Sequence, residues 1–246
     1  MNVRGTTILL DLARRYGIKK LFFASTSAIY ENNTDFPSNE NIVTAPSLLY
    51  PSTKYAAEQF CKAFWNSYKM PVVCFRFANV YGPHIDCLRT QPPVMGYIIR
   101  EYMRGNSPIL HSTGEQKRDF IYVDDLIDLC LLARKAEVYD VVNVSTETAV
   151  SINEITRIIA SDMHCEDIKP IYADVAHFWS NYPELYESPY PISDEILKHE
   201  VLKYTCLSNK HAKEIYDWSP KTSIETGVFN TVKYTCKILK QAGLGT

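Results

Sequence analysis

Apolar residues recur along the chain at two alternating periods. Val3, Ile8, Leu9, Leu12 and Tyr16 fall near helical spacing and predict an amphipathic helix over 3–16, with Gly17 as its C-cap. "KKLFFAS" then reads as a short, almost wholly apolar strand, the signature of burial on both faces. A polar, Pro-containing loop leads to a helix over 51–69, and "PVVCFRF" is a second buried strand. Residues 95–104 and 124–136 have helical spacing, and "DVVNVS" is a third strand. "SINEITRIIAS" predicts a helix capped by Ser151, while "SNKHAKEIYDWSP" and 223–240 predict closing helices. The stretch 165–206, rich in Tyr, Pro, Ser and acids, shows little periodicity and reads as loops and short elements. Apolar strands alternating with helices predict an α/β fold with a parallel sheet.

The totals narrow the classes of function. The 246 residues suffice for one large or two small domains, and 46% hydrophobic content allows a sizeable core. A formal net charge of −2 offers no basic field for nucleic acid. The seven cysteines are scattered, no two closer than 13 residues, so neither a metal site nor a dithiol motif is expected. An odd, scattered set fits reduced thiols and a cytoplasmic location. Asp11 and its arginine neighbours interrupt any signal peptide, and no apolar run reaches the roughly 18 residues of a membrane span.

Chemistry enters with Tyr50 and Lys54, four residues apart on one helix face. A lysine ammonium one turn away favours phenolate and helps a tyrosine act as acid and base. With seventeen tyrosines in the chain, that spacing alone is a chance-grade signal. Its surroundings raise its value. Ser25, Thr26 and Ser27 end the preceding strand, at the edge where open α/β sheets bind ligands. "FRFANVYGP" ends the next strand with Asn79, and "GEQKRDFIYVDDL" carries Arg118. Read from the residues alone, Arg118 is either an anion ligand or an ion pair with Asp119 or Glu115. Asn79 is a ligand or a turn residue, and Phe77 a contact or plain core. Asp124 and Asp125 suit a helix start.

In order, "NVRGT" (2–6), "ASTSAIY" (24–30), "YPSTKYAAE" (50–58), "RFANVYGP" (76–83), "GEQKRDFIYVDD" (114–125), "VNVS" (142–145) and "WSP" (218–220) resemble the extended short-chain dehydrogenase/reductases of the NAD-dependent epimerase/dehydratase group, which act on nucleotide sugars. The resemblance covers almost the whole chain. It implies a Rossmann-like parallel sheet in 1–150 and a smaller C-terminal substrate-binding region, mainly 151–246, to which segments near 80–118 contribute. Thr26, Tyr50 and Lys54 would be catalytic. Asn2, Ser25, Tyr50, Lys54 and Phe77 would bind the cofactor, NAD with NADP as the alternative. Thr26, Asn79, Val94 and Arg118 would bind the nucleotide-sugar substrate. A homodimer is implied, built on helices 3–16 and 51–69, with Tyr55, Phe60, Phe64 and Trp65 as candidate contacts.

Three departures matter. Dehydratases of this group carry Asp-Glu after the matched Thr, where this chain has Ser27 and Ala28. Epimerisation, most often at C4, is therefore the expected reaction, with a reductase or dehydratase of the same group as alternatives. Glu31 stands where a Gly usually follows the tyrosine of the strand-end motif, so the loop before Tyr50 is expected to run differently. None of the nine glycines forms G-x-G-x-x-G or G-x-x-G-x-x-G, so the Rossmann unit is N-terminally incomplete. A fragment or misplaced start is the favoured explanation. A second polypeptide, or a protein that binds a sugar nucleotide or partner without turnover, are the others.

Overall fold

The computed structural model describes residues 2–244 except 178, 180, 181 and 188. In chain order its elements are α1 (Asn2–Arg15), β1 (Leu21–Thr26), α2 (Leu49–Tyr68), β2 (Val72–Phe77), β3 (Asn79–Tyr81), α3 (Val94–Met103), β4 (Ile109–His111) and β5 (Lys117–Tyr122). Then come α4 (Val123–Ala133), β6 (Tyr139–Val144), β7 (Ala149–Ser151), α5 (Ile152–Asp162), β8 (Ile171–Ala173), α6 (Asp194–Leu202), α7 (Lys210–Tyr216) and α8 (Ile224–Gln241). The chain forms two compact units, each from three stretches. One holds 1–80, 119–149 and 205–221, the other 81–118, 150–204 and 222–246.

The first unit is built on a parallel sheet in the order β1-β2-β6. Leu21 pairs with Val72 and Thr26 with Phe77, while Val72 pairs with Tyr139 and Phe77 with Val144. Successive side chains of β2 enter opposite cores. Val72 and Cys74 join Leu10 and Ala13 of α1 and Ala57 and Cys61 of α2. Val73 and Phe75 join Leu126 and Leu129 of α4, Ala212 of α7 and Trp218. Burial on both faces explains why this strand shows no polar alternation. The α1 helix ends as its sequence predicts. Gly17 has φ +64, and Ile18 N–H bonds to Ala13 O at 2.9 Å, the Schellman arrangement.

On the outer side of this unit, α7 is clipped to β6. His211 Nε2 lies 2.9 Å from Asp140 Oδ1, and Tyr216 donates to Asp140 Oδ2 at 2.6 Å. The bond to Asp140 raises the His211 pKa above its usual value, against the opposing effect of burial. A histidine with a raised folded pKa stabilises fully below its unfolded value of about 6.5 and loses that contribution as pH rises through the folded pKa. His211→Gln is therefore expected to cost up to about 1 kcal/mol at pH 6 and less at pH 9, since the pair is partly exposed. Urea unfolding at the two pH values measures the difference.

In the second unit, α3, α5 and α8 pack against one another, and β4 pairs with β8 in parallel. Ser151 caps α5 by accepting from Glu154 N–H at 3.1 Å, as its position predicts. Gly227 lets α8 approach Tyr81, because a Cβ there would lie 2.2 Å from the Tyr81 hydroxyl oxygen. The 165–206 stretch contains more regular structure than its sequence suggests. Ser193 caps the nine-residue α6, which begins with Asp194 and Glu195. Only Leu197 of that helix is buried. No helix among the described residues is long and apolar enough to cross a membrane.

Candidate active site

The C-terminal end of β1 and the start of α2 meet because Lys54 crosses from the helix to the strand. Its Nζ donates to Ala24 O at 2.7 Å, two residues before Thr26, and lies over the Phe23 ring at 5.2 Å from the centroid. Burial lowers the Lys54 pKa. The bond to Ala24 takes one of the ammonium's three donors, leaving two for a bound molecule. Tyr50 lies one turn earlier and is 54% exposed. Thr26 ends the strand. Its Oγ1 accepts from Ala28 N–H at 3.2 Å and caps the short turn Ser27–Tyr30. That bond uses the oxygen as an acceptor and leaves the hydroxyl proton to be donated. Asn2 joins the same edge, its Nδ2 donating to Thr53 Oγ1 at 3.0 Å.

Ser25 points the other way. It is buried and donates its hydroxyl to Glu58 Oε1. Phe77 is half-buried, its ring stacked with Phe75 at 6.2 Å between centroids. Asn79 is exposed and donates from Nδ2 to Asp119 O at 2.9 Å. Asp119 is fully buried, and burial pushes its carboxyl up to about 6 although Thr146 and Leu207 donate to it.

Val94 and Arg118 belong to the second unit. Val94 is the first residue of α3 and half-buried. Arg118 donates to backbone carbonyls, Lys117 O at 3.1 Å and Val201 O at 2.9 Å, rather than to a carboxylate. Burial brings its pKa down to about 10.

Beneath the exposed edge lies a buried polar network that the motifs do not announce. Arg76 meets Glu58 in two bonds, Nε to Oε1 at 3.1 Å and Nη2 to Oε2 at 2.7 Å. Arg76 Nη1 also donates to the Tyr30 hydroxyl at 2.6 Å, which donates to Asn143 Oδ1 at 3.0 Å. Burial works to lower the Arg76 pKa, but the interactions with Glu58 and Tyr30 together hold it up, while burial pushes the Tyr30 phenol up to about 12. The sequence carries a signal for this network. Arg76 interrupts an otherwise apolar strand, and a charge there must find a partner. Glu58, one turn beyond Lys54, is that partner.

Together these groups present a phenol, an alcohol and an ammonium at one strand end. They can move a proton on and off a hydroxyl and hold a ligand's ribose hydroxyls. A sequence profile of the NAD dependent epimerase/dehydratase family matches residues 1–145. The chain is 28% identical over 237 residues to the mouse dTDP-D-glucose 4,6-dehydratase, an alignment spanning 95% of this chain and 60% of the relative. It is 32% identical over 164 residues to a putative UDP-glucose 4-epimerase of Methanocaldococcus jannaschii, covering 66% of this chain and 53% of the relative. The UDP-glucose 4-epimerase of Thermotoga maritima, solved with UDP-glucose, superposes with a TM-score of 0.82 at 29% identity, covering 97% of this chain and 70% of that one. The chain thus spans between half and two thirds of the length of these two curated relatives.

Proposed function

The chain belongs to the NAD dependent epimerase/dehydratase family, and on that footing we propose that it carries the catalytic residues of a nucleotide-sugar 4-epimerase. The observation that carries this reading is the strand end itself. Thr26 ends β1 two residues beyond the carbonyl that Lys54 holds, and Ser27 and Ala28 follow where an elimination would need an acid and a base. The UDP-glucose in the Thermotoga protein supports a UDP-hexose as the substrate class.

The residues present fit the nicotinamide-ribose end of NAD. Lys54 has two donors for ribose hydroxyls, and Tyr50, Asn2 and Phe77 lie on the same strand and helix ends. Ser25 spends its side chain on Glu58, which leaves its backbone for this task. This chain offers no glycine-rich turn for the pyrophosphate. Bound NAD would supply the hydride acceptor and donor for one sugar carbon. Tyr50 takes the proton of the sugar hydroxyl as the carbon is oxidised and returns it on reduction. Thr26 holds the same oxygen, and the Lys54 ammonium favours the phenolate. Asn79 is proposed to bind the substrate, and Val94 and Arg118 carry the same proposal for the second unit on resemblance alone. A homodimer is proposed as well, because α1 exposes Leu9 at 60% and Tyr16, just past its end, is 78% exposed. Of the residues named for that contact, Tyr55 packs against the core and Phe60 is exposed.

The test is product analysis. With NAD supplied, UDP-glucose is expected to convert to a mixture with UDP-galactose, read from the anomeric proton signals. A 4-keto-6-deoxy product would make the protein a dehydratase and overturn the reading.

A further inference from the structure

Glu31 departs from the pattern of the strand-end motif, and its surroundings give it a task. The residue is 8% exposed and helical in φ and ψ (−54, −32), so it needs no glycine-like conformation. Its side chain folds towards the start of α2. Oε1 accepts from Ser47 N–H at 2.6 Å, from Leu48 N–H at 2.8 Å and from Ser47 Oγ at 3.2 Å. Leu48 is the N-cap of α2, and its own side chain offers no cap. Tyr50 follows two residues later. Asn32, next to Glu31, reinforces the same turn by donating to Ala45 O at 2.8 Å. Glu31 Oε2 is buried and has no partner among the described residues, and all three bonds run to Oε1.

Three bonds on one buried atom fix where α2 begins. An anionic acceptor at a helix N-terminus is also favourable electrostatically. The exposed Tyr50, second residue of that helix, inherits the placement. We propose that Glu31 is a positioning residue for Tyr50, its carboxylate pinning the turn at Ser47 and Leu48 from which the Tyr50 helix starts. This inference rests on the reading of Tyr50 as the acid and base, but its geometry can be tested without turnover.

The experiment compares the full chain, Glu31→Ala and Glu31→Gln, each labelled with ring-13C tyrosine, the Tyr50 signal being assigned from Tyr50→Phe. Gln keeps an acceptor at Oε1 and Ala does not. Glu31→Ala is expected to shift the Tyr50 signal and speed amide exchange at Ser47 and Leu48 at least roughly ten-fold, while Glu31→Gln stays near wild type. In the turnover assay, Glu31→Ala is expected to lower kcat roughly ten-fold or more with KM held within about two-fold, because small misplacements of a reacting group act on the chemical step. An unmoved Tyr50 signal, or unchanged exchange at both amides, overturns the positioning role. If Tyr50→Phe keeps full activity, the assignment of Tyr50 fails instead, and the signal and exchange data still decide where Glu31 holds the helix.

Discussion

Tyr50→Phe is expected to lower kcat by roughly 10²- to 10⁴-fold, the usual contribution of a positioned general acid–base. The change removes one oxygen from a residue that is 54% exposed, so the cost in stability should stay within about 0.5 kcal/mol. Binding of the sugar nucleotide should change little, because the phenol's largest interaction forms while the proton moves. Steady-state kinetics with a UDP-hexose, alongside thermal unfolding, separates the two effects. Full activity in the Phe variant would remove Tyr50 from the chemistry.

Arg76→Met should produce the largest loss of stability of any single change considered. It deletes both bonds to Glu58 and the bond to Tyr30, and it leaves a carboxylate that is 1% exposed without its cation. Breaking a buried pair in this way typically costs about 3–5 kcal/mol, because the surviving charge is stranded. The double variant Glu58→Gln with Arg76→Met should recover part of that loss, since no buried charge remains. Chemical denaturation of the two single variants and the double gives the coupling directly. If the double variant is less stable than Arg76→Met, the stranded charge is not what costs stability. The pair joins β2 to α2, and Ser25 ties β1 to the same carboxylate. These elements carry Phe77, Tyr50, Lys54 and Thr26, so the network beneath is also what holds the strand end in register.

The sheet and the candidate edge are legible in the sequence because each is written locally. Apolar runs mark β1, β2 and β6, helical spacing marks α1 and α5, and the Tyr50–Lys54 spacing sits on one helix. What stayed hidden depends on contacts distant in the chain. The return of 205–221 to the first unit follows from packing that no window of sequence contains, whereas the part played by 80–118 is expected only from the family resemblance. Glu31 is marked only as a departure from a glycine, and its three donors lie sixteen and seventeen residues away. Arg118 read as an anion ligand or an ion pair. Its partners include Val201, 83 residues on and far outside any local window. Helix α6 is not singled out within 165–206 because it is only nine residues long and buries one of them.

The central claim is that Thr26, Tyr50 and Lys54 serve oxidation and re-reduction of a single sugar carbon. The most direct test supplies the protein with NAD and UDP-glucose deuterated at C4 and follows the product by NMR and mass spectrometry. Retention of the deuterium at C4 of the epimerised sugar is the result this account requires. Loss of the label to solvent, or its appearance at C6 of a 4-keto-6-deoxy sugar, would contradict it.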